Sequence, residues 1–293
     1  MLRTRLWMGS LIAALFGAVV FGDGYFAPWF PFLLIVFVGL AFPAVKEIIS
    51  LQPVADRAGR ISTTACVLAV LLANWYPTFA EQFPDLLPQT REPWKPVLIA
   101  ATASIFAAFF VEMVKYRTPG HSMPRVANTI LAIMYLGIFP SFLIKLRWLE
   151  VEYASLMIGM TMFVPKVGDI GAYFTGRILG RTPLSPWLSP KKTWEGFVGG
   201  IGLAVAASVL LWFISLEVRG AGHDVFRHGI VEAVLFGIVI GIAGVLGDLA
   251  ESMLKRDSLA KDASSSVPGF GGVLDVIDSV LFASPVAYLW FSR

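Results

Sequence analysis

Apolar residues crowd into long runs along this chain, and the polar ones gather between them. Runs of roughly twenty residues occupy 6–22, 27–45, 62–80, 97–114, 126–144, 151–170, 195–215, 229–249 and 272–291. That is the length a helix needs to cross a hydrocarbon core about 30 Å thick. The pattern predicts an all-α, polytopic integral membrane protein with about nine transmembrane helices. The first run follows Arg3 and Arg5, as the core of a signal peptide would. No small-x-small cleavage site precedes Gly24, so it reads as a retained anchor.

Composition sharpens this picture. The 293 residues are 57% hydrophobic and 15% charged, with a mean hydropathy of +0.73, and the bilayer is the solvent that such a chain requires. A net charge of +3 is small and no nucleic-acid motif occurs, so nucleic acid is not expected as a partner. Cys66 is the single cysteine, which excludes an internal disulfide and a multi-cysteine metal site and leaves a small core residue. Lysine and arginine divide unevenly between alternate loops. With the N-terminus inside, fifteen fall on the cytoplasmic side and seven outside, while Lys166 lies within a span. Short positively charged loops stay cytoplasmic, so the N-terminus is expected inside and the C-terminus outside.

Residues 1–150 read as a transmembrane scaffold, with Trp29, Trp75, Trp94 and Trp148 at interfacial positions and no visible chemistry. Residues 151–293 carry the chemistry; no linker separates the two halves, and one integrated membrane domain is expected. Asp169 closes an apolar run, where a carboxylate is costly unless a cation, water or hydrogen bonds receive it. Downstream, Ser189 can cap a helix with Pro190 at its first position, and Lys191, Lys192 and Thr193 follow. A helix N-terminus flanked by lysines would cradle phosphate. Gly176 and Gly180, four apart, suit close helix packing.

A second cluster runs through Asp248, Glu251, Ser252, Lys255, Arg256, Lys261 and Asp262. On a continuing helix Asp248, Ser252, Lys255 and Asp262 share one polar stripe. Asp275 and Asp278 lie in the first turns of the last run, after Pro268, Gly269, Phe270, Gly271 and Gly272. Two acids there point to cation binding, with helix capping as the competing account. Fourteen residues of straight helix span about 21 Å, so Asp248 and Asp262 cannot serve one metal pair along it. Either the helix breaks near 257–261, or the glycine-rich turn folds the last helix back so that Asp275 and Asp278 approach one of them.

The order Ser252-x-x-Lys255-Arg256, Lys261-Asp262, Pro268-Gly269-x-Gly271-Gly272 and Asp275-x-x-Asp278 resembles the signature of the phosphatidate cytidylyltransferase family. The stretch from Asp169 through Ser189, Pro190, Lys191, Thr193, Glu195 and Gly196 resembles a second block of it. The likeness covers roughly residues 160–292. The chain departs from it at Phe270 and Val276, where the family has histidine and arginine, so two polar groups are replaced by apolar ones. The resemblance implies transfer of a cytidylyl group from CTP to phosphatidic acid, giving CDP-diacylglycerol and pyrophosphate with Mg2+, alone or beside a second cation. It implies metal binding by Asp248, Asp262, Asp275 and Asp278. Together with the two clusters above, catalysis is expected of Asp262, Lys255 and Asp248, and substrate binding of Ser189, Lys191, Lys192, Thr193, Arg256 and Lys261. The expected partners are CTP, phosphatidic acid and membrane lipid, and a homodimer is compatible with the sequence. The expected location is a bacterial inner membrane, with the site at its cytoplasmic face. A CTP-dependent enzyme acting on another lipid phosphate, or a transporter using its intramembrane acids as ion sites, is the alternative.

Overall fold

The computed structural model describes residues 2–90, 92–150, 152–219, 225–259, 264, 266–267 and 271–293. Helices follow the apolar runs closely. They are α1 (Leu2–Gly22), α2 (Pro31–Ser50), α3 (Arg60–Leu72), α4 (Tyr76–Gln82), α5 (Lys95–Lys115), α6 (Ser122–Ala132), α7 (Phe139–Leu149), α8 (Ala154–Leu179), α9 (Trp194–Arg219), α10 (Ile230–Asp257) and α11 (Val273–Phe291). Two expected spans are interrupted. The third is α3 and α4 joined through a tight turn at Ala73–Trp75, with Pro77 in the first turn of α4, where its missing N–H costs nothing. The fifth is α6 and α7 joined through a wide π turn at Ile133–Ile138.

Among the described residues, eight helical segments are long and apolar enough to cross a membrane, against the nine expected. The difference is the sixth run. It is helical as α8, 26 residues long, but Lys166, Asp169 and Arg177 dilute its apolar character. The protein is thus an all-helical integral membrane protein, apart from one hairpin described below.

The chain forms two compact units. The first comprises Met1–Lys145 and Ser258–Val276. Its α3 lies against α2, α5 and the π turn, burying Cys66, Val70, Val97, Ala101 and Ile133. Cys66 is the small core residue expected: Ser104 Oγ donates to its carbonyl at 3.3 Å, and its Sγ donates to the Ser104 carbonyl at 3.7 Å. Asp23 is buried and accepts the N–H groups of Phe32 and Leu33 at 2.9 and 3.2 Å, capping α2.

The second unit comprises Leu146–Asp257 and Ile277–Arg293. Its helices approach through glycine. A Cβ on Gly171 would lie 3.0 Å from the Gly199 carbonyl on α9, and one on Gly237 would lie 2.6 Å from the Val205 Cα. Such stripes of small residues let backbones meet where no hydrophobic drive separates helix from lipid. Met160, Phe226, Phe236, Ile240 and Ala283 fill the core beneath.

Candidate active site

The second unit gathers the chemistry. Residues Ser189–Thr193 form strand β2, paired antiparallel with β1 (Pro183–Ser185) in a short hairpin. The helix expected to start at Ser189 instead starts at Trp194. Its cap is Thr193, whose Oγ1 accepts the Gly196 N–H at 3.1 Å. The helical N-terminus around Lys191 and Lys192 is therefore corrected to a strand. Glu195 closes the hairpin by accepting the N–H groups of Arg181 and Thr182 at 3.1 and 3.2 Å. Gly176 and Gly180 face this hairpin: a Cβ on Gly176 would lie 3.2 Å from Thr193 Oγ1, and one on Gly180 would lie 2.8 Å from it.

Alternation along β2 separates the two lysines. Lys191 is exposed, whereas Lys192 is half-buried, with Nζ 2.6 Å from Asp248 Oδ2. Asp248 lies on α10, and Ser252 one turn on donates to its Oδ1 at 3.4 Å. Glu251, three residues after Asp248, is buried and pairs with Lys255 on the next turn. Arg256 donates from Nε to the Leu188 carbonyl at 3.3 Å, tying the end of α10 to the hairpin.

From α11, Asp278 completes the group. It is buried, with Oδ1 2.9 Å from Lys166 Nζ and 2.6 Å from the Ser279 N–H that donates to it. Lys166 also reaches Asp169 at 3.6 Å, and Asp169 Oδ2 accepts the Ser279 hydroxyl at 3.2 Å. One carboxylate oxygen each from Asp248, Glu251 and Asp278 lies within 4.8 Å of the others. Each of these three acids has a lysine beside it: Lys192, Lys255 and Lys166 in turn. Hard oxygen donors at this spacing fit a divalent cation such as Mg2+, whose metal–oxygen distances are about 2.0–2.1 Å.

The helix break expected near residues 257–261 occurs. Helix α10 ends at Asp257, with Leu259 left-handed at φ 56° just beyond, and α11 returns to set Asp278 beside Asp248. A Cβ on Gly247 would lie 2.5 Å from the Asp278 carbonyl, so glycine there permits that approach. Lys261 and Asp262 lie outside the described residues, as do Pro268, Gly269 and Phe270. Asp275 belongs to the first unit, where its Oδ2 accepts the Gly272 N–H at 2.7 Å. That is the capping account. Glu251 and Lys166 were not singled out from the sequence as site residues. The signal was present for both, a carboxylate three residues after Asp248 and a lysine inside a span.

The sequence pattern of the cytidylyltransferase family matches residues 3–292. The chain belongs to this family. Among its relatives, a phosphatidate cytidylyltransferase of Synechocystis sp. is 28% identical over 302 residues, covering 94% of this chain and 92% of that one. The phosphatidate cytidylyltransferase of Bacillus subtilis is 36% identical over 158 residues, 54% of this chain and 55% of the relative. That of Haemophilus influenzae is 42% identical over 125 residues, 42% of this chain and 41% of the relative. In this cytidylyltransferase the helices of the second unit bring together acids and lysines that the sequence scatters over more than a hundred positions.

Proposed function

We propose that this protein transfers a cytidylyl group from CTP to phosphatidic acid, giving CDP-diacylglycerol and pyrophosphate, at the cytoplasmic face of a bacterial inner membrane. The observation that carries the reading is the trio Asp248, Glu251 and Asp278, each beside a lysine, in a member of the cytidylyltransferase family. The relatives' names supply the substrate class. The bias of basic residues toward one side supports the cytoplasmic face, where CTP is available.

In the reaction, a phosphate oxygen of phosphatidic acid forms a bond to the α-phosphorus of CTP. The bond from that phosphorus to the β-phosphate oxygen breaks, and pyrophosphate leaves. Asp248, Glu251 and Asp278 would hold Mg2+, which when bound neutralises triphosphate charge. Lys192, Lys255 and Lys166 balance the acids when substrate is absent. Each carries its ammonium on a four-carbon stem that can turn from carboxylate to phosphate without a change of fold. Lys192 is best placed for this, because the hairpin that carries it is anchored by Glu195 and Arg256 on either side. The apolar flanks of α9, α10 and α11 keep the phosphatidate chains in the bilayer while its headgroup meets the lysines.

The test uses membrane vesicles of both orientations with labelled CTP, phosphatidic acid and magnesium. Because CTP does not cross membranes, CDP-diacylglycerol should form in inside-out vesicles alone until detergent is added. Formation in right-side-out vesicles would overturn the sidedness, and no product from folded protein in either would overturn the activity.

A further inference from the structure

The first unit holds a buried acid for which the sequence reading found no use. Glu47, near the end of α2, is only 2% exposed. Its Oε1 accepts the Val273 N–H at 3.0 Å and the Ser264 hydroxyl at 2.6 Å. Its Oε2 accepts the Leu274 N–H at 2.9 Å. These are among the first N–H groups of α11, which have no partner within the helix. The preceding N–H, that of Gly272, goes to Asp275. The start of α11 is thus capped by two acids, one local and one from a helix more than two hundred residues upstream.

The glycines before α11 serve this contact. Gly271 has φ of +108°, which favours glycine, and it bridges to Val267 with N–H···O distances of 2.7 and 3.0 Å. Gly272 makes room for the carboxylate: a Cβ there would lie 2.6 Å from Glu47 Oε2 and 2.8 Å from its Cδ. Ser264 extends the same network: its own proton goes to Glu47, so its Oγ accepts the Ser266 hydroxyl at 2.7 Å and the Ser266 N–H at 3.1 Å. A glycine-rich turn entering a helix N-terminus would ordinarily suit a substrate phosphate. Here a carboxylate of the same chain fills that position.

We infer that Glu47 is a positioning residue: its buried carboxylate takes the anion position at the start of α11 and thereby fixes Gly272 and the helix that carries Asp278. Substrate phosphate is excluded from that helix terminus by charge and because the Gly272, Val273 and Leu274 N–H groups are already taken. The inference rests on the enzymatic reading above only where turnover is the readout.

The test combines hydrogen exchange with kinetics on full-length protein in detergent, well below its melting temperature. In Glu47→Ala, exchange at the Val273 and Leu274 amides should rise at least about tenfold. The kcat should fall about 10- to 100-fold while KM for CTP stays within about threefold. Glu47→Gln keeps the volume but sets an amide N–H against a backbone N–H, and should show the same pattern more weakly; it carries the comparison if the alanine variant does not fold. Gly272→Ala should be damaging in the native background and add little in Glu47→Ala, because the clash disappears with the carboxylate. Unchanged exchange, a loss seen in KM alone, full turnover by folded Glu47→Ala, or independent effects of the two substitutions would each overturn the inference. A wild-type protein without CTP turnover would instead refute the enzymatic reading, and the exchange measurements would still decide the role of Glu47.

Discussion

Each unit of this protein buries carboxylates, and, apart from Glu112, which pairs with Arg125 in the first unit, the two satisfy them in opposite ways. In the first unit, Asp23 and Glu47 are held by backbone N–H groups at the starts of α2 and α11. In the second, Asp248, Glu251 and Asp278 are paired with lysine side chains. A buried acid costs several kcal/mol unless it is compensated, so both arrangements are needed for the fold to stand. They differ in what can be exchanged. A helix N-terminus cannot move away from its cap without unwinding a turn, whereas an ammonium on a four-carbon stem can rotate toward a new partner. The first arrangement therefore serves structure, and the second is the one in which, under the proposed function, the carboxylates would take a cation and the lysines phosphate.

The sharpest way to break this comparison is Asp278→Asn. It leaves Lys166 with Asp169 alone, and removing one member of a buried pair costs about 3–5 kcal/mol of stability; a loss of that size felt in the transition state would be about 10²- to 5 × 10³-fold. Turnover should fall by at least that much in protein that still elutes as a folded species, with a raised magnesium requirement. Normal turnover with normal magnesium dependence would leave the acid group a structural one.

A smaller effect is expected from Lys192→Ala. A charge-assisted hydrogen bond contributes about 1.5–3 kcal/mol, so kcat/KM should drop about 10- to 150-fold. Lys191→Ala, on the exposed face of the same strand, should change it about threefold or less. Equal losses at both positions would show that strand alternation does not select the lysine that works.

The smallest effect tests packing rather than charge. Gly247→Ala places a methyl group against the Asp278 carbonyl, where overpacking costs about 1–3 kcal/mol. Gly202→Ala meets nothing within 4 Å and should be neutral or stabilising by about 0.5–1 kcal/mol. Thermal unfolding in detergent separates the two, and a Gly247→Ala protein as stable as Gly202→Ala would mean that α10 and α11 do not need that close approach.

Much of the site could be read from the chain because polar residues inside apolar runs are conspicuous. Asp169, Asp248 and Asp278 stand out on that ground, Lys255 through the polar stripe it shares with Asp248, and all lie in the acid and lysine group or beside it. The hairpin did not stand out. Ser-Pro-Lys-Lys-Thr is too short for a period of two to register, and Ser189-Pro190 imitates a helix start. Asp275 had two accounts in the sequence, and its bond to the Gly272 N–H supports the local one.

The spans were decided by the chain alone, since the bilayer imposes a length and an apolar content on every crossing helix and each element meets that demand separately. Side-chain partnership was not decided there. Lys192 with Asp248, Lys166 with Asp278 and Glu47 with the start of α11 join residues 56, 112 and more than 220 positions apart. No local propensity encodes such distances. They follow from which helices pack together, and that depends on small residues such as Gly171, Gly237 and Gly247 admitting a neighbouring backbone at particular points.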